Sequence, residues 1–201
     1  MDGGSLSTVI LLLRHAESEW NAEGRWQGRA DPVLSSRGRA AAVRAGTLLP
    51  AFPTVVASNL TRARETARLI AGGDSGCADL AWVTPLLAER SVGAWEGLTR
   101  DEIELHWPGY LARQERPPGY ESDESALRRL QTALEVLGRD FRGSRVLCVT
   151  HGGLIYALEA WAGLPRTRLA NLAGRWVTLQ DGVVALGARD GRALATSVSE
   201  G

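Results

Sequence analysis

Two histidines in this chain stand where an apolar run gives way to polar residues. In LLLRHAESEW, residues 11–20, three leucines lead into Arg14 and His15. In VLCVTHGGLI, residues 146–155, a second apolar run ends at His151, followed by Gly152 and Gly153. Between them, VVASNLTRAR at 55–64 ends a third run at Ser58 and Asn59, with Arg62 just beyond. One histidine at a strand end is commonly structural. Three separated segments carrying two histidines and two arginines point to a shared site. Guanidinium forks and helix N-termini bind anionic oxygens, and a neutral imidazole nitrogen can attack or move a proton. The expected ligand is therefore an anion, most plausibly phosphate.

The rest of the composition narrows the chemistry. The 201 residues contain no lysine, so all 23 basic residues are arginine. No lysine can form a Schiff base or act as a deprotonated base, and anions must be held by arginine, histidine or backbone amides. No two of the three histidines share a zinc-ligand spacing, so no metal is expected. Cys77 and Cys148 match no redox or metal pattern and read as free buried thiols. Formal net charge is zero and the arginines are scattered, which argues against nucleic acid and anionic membrane as partners. No apolar run approaches the roughly 20 residues of a membrane span. MDGGSLS has no secretory signature, so a cytoplasmic protein is expected.

Elements must bring these residues together. STVILLLR at 7–14, TVVASN at 54–59, WVTP near 82–85 and RVLCVT at 145–150 read as strands. Helices are expected after Ser35 or Ser36, over 60–71, after a Ser122 cap up to Gly143, and over 153–163. One or two short helices should lie in 99–116 around Pro108, with NAEGRWQGRADPVLS at 21–35 a loop and 86–98 irregular. Asp181-Gly182 between RWVTLQ and VVALGA signals a hairpin. This alternation predicts one α/β domain over 1–201, a three-layer α/β/α sandwich with a mainly parallel sheet and an antiparallel edge. Residues 1–6 read as a loose tail. Parallel sheets bind ligands beyond their strands' carboxyl ends, where Arg14-His15, Ser58 and His151 all fall.

The ordered set LLLRHAESEWN, GRWQGRAD, LSSRGRAAA, VVASNLTRARETA, LLAERSVGAWEGLT, PPGYES and VTHGGLI resembles the histidine phosphatase superfamily, also called the phosphoglycerate mutase-like family. The resemblance covers most of the chain to about residue 163. It implies that His15 is the nucleophile taking the phosphoryl group, that Arg14, Arg62 and a protonated His151 form the phosphate pocket, and that Glu89 is the proton donor. It implies polar pocket contacts from Asn21, Gln27 and Ser58, with Gly152 and Tyr120 also counted as substrate-binding. No cofactor is implied. Glu96 follows the family pattern and reads equally as functional or as structural. Trp20, Trp26 and Trp95 read as mouth-lining or as packing, and His106 as a helix-end surface residue. Two departures stand out. Ala16 replaces the commonest glycine, and Tyr120 replaces a second glycine, pointing either to the pocket or to solvent.

Three functions compete. A metal-independent phosphatase would hydrolyse a small phosphorylated metabolite through phospho-His15. A cofactor-dependent phosphoglycerate mutase would return the group to an acceptor hydroxyl. A silent module would bind a phospho-ligand without turnover. The short stretch between the WEG segment and the His151 strand favours the phosphatase, since the family's mutases carry a longer insertion there. The partner is then a small phosphate ester, and a homodimer through an exposed sheet edge is left open.

Overall fold

The computed structural model describes residues 6–72 and 79–191. Cys77, Gly73 and most of the expected N-terminal tail lie outside them. Six strands form one sheet in the order β3-β2-β4-β1-β5-β6. These are β1 (Thr8–Arg14), β2 (Thr54–Ser58), β3 (Trp82–Thr84), β4 (Arg145–Thr150), β5 (Gly174–Gln180) and β6 (Val183–Asp190). The first four run parallel, and β5 and β6 add an antiparallel edge. Asp181 and Gly182, both at positive φ, make the turn between the last two strands.

Side chains alternate across the sheet, so β1 feeds two cores. Ile10 and Leu12 join one apolar cluster with Leu130, Leu134, Leu154 and Leu158, which belong to α6 (Asp123–Asp140) and α7 (Gly152–Trp161). Leu11 and Leu13 join the other with Ala42, Ala45, Ala63 and Ala67 of α2 (Ser36–Leu48) and α3 (Thr61–Gly72). The result is the three-layer sandwich that the strand–helix alternation predicts. Alanine on the packed faces of α2 and α3 leaves them little bulk; α6 uses leucine.

Local chemistry sets the helix starts. Ser35 Oγ accepts from Gly38 N at 2.9 Å, and Ser122 Oγ accepts from Ser125 N at 3.1 Å. Both caps satisfy amides that a first turn leaves unpaired. An element that the sequence reading does not anticipate, α1 (Glu19–Ala22), leads into the 21–35 loop. Ser18 and Asn21 cap each other's backbone there, a reciprocal box that uses asparagine in place of the usual glutamate. Residues 86–98, read as irregular, contain a 3₁₀ turn at Gly93–Trp95, and another covers Pro85–Leu87.

A third, small apolar cluster sits apart from the two cores. It packs Val92, Trp95 and Ile103 with Trp26, Trp107 and Tyr120. It ties the 24–28 loop and residues 92–120, including α4 (Arg100–His106) and α5 (Tyr110–Arg113), to one another. His106 is exposed in the last turn of α4, as its reading as a helix-end residue anticipates.

Candidate active site

Register brings the two histidines together. β1 pairs with β4 so that Arg14 lies opposite Thr150, and the next residues are His15 and His151. His15 N donates to Thr150 O at 3.0 Å, and the two imidazole centroids lie 5.1 Å apart. Both rings are buried. Arg62 enters from the first turn of α3, and Ser58 from the end of β2.

His15 is held in one tautomer. Its Nδ1 lies 2.7 Å from Ala16 O, a pairing that requires Nδ1 to carry the proton. Arg62 Nε donates to the remaining nitrogen, Nε2, at 3.3 Å. Nε2 therefore presents a lone pair. Burial and then the Arg62 and Arg14 charges hold the pKa of His15 well below the ordinary histidine value, so the ring stays neutral. Ala16, the departure from glycine, needs no positive φ here and carries no strain. Its amide donates to Thr66 Oγ1 at 3.0 Å.

Arg62 is fully buried and anchored by carbonyls. It donates to Ala30 O at 2.7 Å and Gly28 O at 3.0 Å. Burial lowers its pKa to about 10, which leaves it charged at neutral pH. Glu96 acts behind this loop: its Oε2 accepts from Arg29 N at 2.8 Å and Ala30 N at 2.9 Å. Glu96 thus shapes the carbonyls that hold Arg62, and it is not on the cavity wall. Arg14 donates to Leu169 O at 2.6 Å.

These residues border a cavity of about 460 Å³. Arg14, His15, Arg62, Glu89, Asn21 and Gln27 all reach it, as do Gly152 and Tyr120. Tyr120 therefore faces the pocket rather than solvent alone, with the Arg116 guanidinium 5.1 Å from its ring centre. Trp26 lines the mouth and packs edge-to-face on Trp95, which is wholly buried. Asn21 Oδ1 accepts from Asn171 Nδ2 at 3.1 Å, and the same amide donates to His15 O at 2.9 Å. Gln27 Oε1 accepts from Ser18 Oγ.

Two of the expected site residues, Ser58 and His151, are fully buried and are not on the cavity wall; Ser58 Oγ lies 2.8 Å from His151 Nε2. The position of Ser58 at the end of β2 places its hydroxyl as a support for the His151 imidazole. The charged form of His151 is disfavoured in the free protein. Burial first, then Arg62, His15 and Arg14, push its pKa well below the ordinary value. Its buried Nδ1 has no hydrogen-bond partner. A buried polar atom left unpaired costs stability unless a ligand completes it.

Glu89 lies across the cavity and accepts from Arg90 N at 2.8 Å and Gly153 N at 3.0 Å. The second donor is in the first turn of α7, whose N-terminus favours negative charge. A Cβ at Gly153 would sit on Glu89 Oε1, so the second glycine of HGG is required by this carboxylate.

Several cavity residues went unread in the sequence. Arg90 donates to Gly153 O at 2.6 Å and pairs with Asp123. Tyr156, Arg166, Arg168 and Asn171 line the far wall. Asn171 had a usable signal, since a lone asparagine in an apolar stretch before a strand needs partners. The arginines had none, because the chain carries arginine everywhere.

Comparison with known proteins agrees with this geometry. Residues 10–184 match the family model of the histidine phosphatase superfamily (branch 1). The chain is 34% identical to a 2,3-bisphosphoglycerate-dependent phosphoglycerate mutase of Methylobacterium sp. (strain 4-46), over 80% of this chain and 90% of that one. It is 34% identical to a metal-independent phosphoserine phosphatase of Arabidopsis thaliana, over 89% of this chain and 76% of that one. Among solved structures, YhfR of Bacillus stearothermophilus superposes with a TM-score of 0.78 at 27% identity, covering 89% of this chain and 95% of that one. A mycobacterial glucosyl-3-phosphoglycerate phosphatase gives a TM-score of 0.72 at 29% identity, covering 88% and 98%. Paired histidines on neighbouring parallel strands, buried arginines beside them and a family match over most of the chain lead to one conclusion: this protein belongs to the histidine phosphatase superfamily.

Proposed function

We propose that the protein is a metal-independent phosphatase acting on a small phosphorylated metabolite through a phosphohistidine at His15. The observation that carries this reading is the state of His15: a neutral ring whose Nδ1 is tied to Ala16 O, leaving Nε2 as an acceptor beside Arg62 at a cavity wall. That is the form a histidine needs to attack phosphorus.

His15 Nε2 forms the N–P bond as the ester P–O bond breaks. The equatorial oxygens lie among Arg14, Arg62 and His151, whose charges and N–H donors match the developing negative charge. The arriving phosphate reverses the local field, so His151, neutral in the empty site, gains a reason to hold a proton on its unpaired Nδ1. Glu89, which must carry a proton in the substrate complex, gives it to the departing alkoxide. Glu89 then takes a proton from water as the water oxygen joins phosphorus and the N–P electrons return to Nε2. One water is consumed and Glu89 ends as it began.

Kinship with a phosphoserine phosphatase and with a glucosyl-3-phosphoglycerate phosphatase of closely similar fold supports hydrolysis. So does the cover between the WEG segment and β4, which holds only the short α4 and α5 and the helix α6; a cover without a longer insertion should leave the phosphoenzyme open to water. The mutase reading has its own support in the 34% identity to phosphoglycerate mutases. The test is direct. The wild type should release inorganic phosphate steadily and not interconvert 2- and 3-phosphoglycerate. His15→Ala should lose at least about 10³-fold in turnover and all acid-labile phosphoenzyme. Near-normal turnover by His15→Ala would overturn the assignment.

A further inference from the structure

The charges around the cavity do not balance, and the imbalance is local. Of the arginines on its wall, Arg25 pairs with Glu23 and Glu102, and Arg90 pairs with Asp123. Arg62 lies 3.9 Å from Asp31, and Glu89 faces both Arg14 and Arg62. Arg166 and Arg168 have no ion pair and no side-chain hydrogen bond among the described residues. Both project into the cavity from the segment between α7 and β5.

Their backbone is fixed although their heads are free. Arg189 donates to Thr167 O at 3.1 Å and Arg168 O at 3.2 Å. Tyr156 Oη accepts from Leu169 N at 2.7 Å, and Arg14 donates to Leu169 O at 2.6 Å. Leu169 itself is buried. The Arg166 guanidinium lies over the Tyr156 ring, 4.7 Å from its centre. Such stacking orients the guanidinium and leaves its edge for an anion. Both arginines reach the cavity and Thr167 does not. The anchor at Leu169 also puts this pair directly beside the arginine of the reaction centre.

We propose that Arg166 and Arg168 form a second anion subsite, and that the substrate is a phosphate monoester bearing another acidic group, a carboxylate or a second phosphate, at its far end. The inference rests on the phosphatase reading of the same cavity. Two guanidiniums without ion pairs, held by a fixed backbone at the exposed edge of the cavity, match a bidentate oxyanion.

The experiment compares substrate pairs differing only in the far group. One arm sets 3-phosphoglycerate against glycerol 3-phosphate; the other sets fructose 1,6-bisphosphate against fructose 6-phosphate. Phosphate release should favour the acidic member of at least one pair by tenfold or more in kcat/KM, and the arm that shows it identifies the group. Arg166→Gln combined with Arg168→Gln should bring that ratio close to one. An equal rate for both members in both arms, or a preference that survives the double substitution, would overturn the subsite. If the wild type hydrolyses none of these esters, turnover does not read the subsite. The subsite is then read by calorimetric binding of the same pairs to His15→Ala. The acidic member should bind at least tenfold tighter and lose that margin in the triple variant; equal affinities would refute it.

Discussion

Glu89 shows how a single side chain acquires its role from contacts that no local pattern contains. Its carboxylate rests on the amides of Arg90 and Gly153, at the start of the helix that follows His151. That placement holds it on the cavity wall. A proton donor matters in proportion to the basicity of the departing oxygen. Glu89→Gln should therefore lower kcat/KM for an alkyl phosphate by about 10²-fold or more, and change it far less for p-nitrophenyl phosphate. Because kcat/KM stops at the first irreversible step, the later role of Glu89 as base does not enter. Equal losses on both esters would assign Glu89 to positioning alone. Ser58 makes the complementary point. Its hydroxyl lies within 2.8 Å of the His151 ring, yet it is one layer behind the pocket.

At the scale of elements, the site depends on a lock between α7 and the sheet edge. Glu159 of α7 is almost wholly buried, and its carboxylate takes Arg175 of β5 at 2.7 Å and Arg189 of β6 at 2.5 Å. Arg189 passes on to the carbonyls of Thr167 and Arg168. One carboxylate thus joins a helix, two antiparallel strands and the segment that bears on Arg14. Removing one partner from such a buried network leaves the others uncompensated. Glu159→Gln should cost about 3 kcal/mol in denaturant unfolding and raise amide exchange at Leu169. A change below about 0.5 kcal/mol would class the network with weak surface pairs.

For the molecule as a whole, the buried histidines tie stability to pH. His15 and His151 both have folded pKa values well below the ordinary one. In the unfolded chain they take up protons as pH falls below about 6.5, while the native fold still refuses them. Their contribution is complete above that pH and is lost as pH falls toward the folded values. Each adds a slope approaching about 1.4 kcal/mol per pH unit in that window. Thermal unfolding should thus drop between pH 7.5 and 5.5, and drop less in the variant carrying His15→Gln and His151→Gln. Saturating phosphate should recover part of the loss by supplying the missing negative charge. Matching pH dependence in wild type and variant would show that other groups set it.

By itself the sequence determined the order of strands and helices, the ends at which Arg14, His15, Arg62 and His151 emerge, and the family they announce. These are properties of short runs: apolar periodicity, a serine before a helix, a histidine after a strand. The tertiary structure alone decided what depends on contacts between distant segments. It put Ser58 behind His151, turned Glu96 onto the loop that holds Arg62, and set Tyr120 on the pocket wall. It also separated the two unpaired arginines at 166 and 168 from the many that pair, which composition could not do in a chain whose every basic residue is arginine. Charge balance and hydrogen-bond completion are summed over space, and neighbours in space here lie far apart in sequence: His15 and Asn171, which share a hydrogen bond, are 156 residues apart.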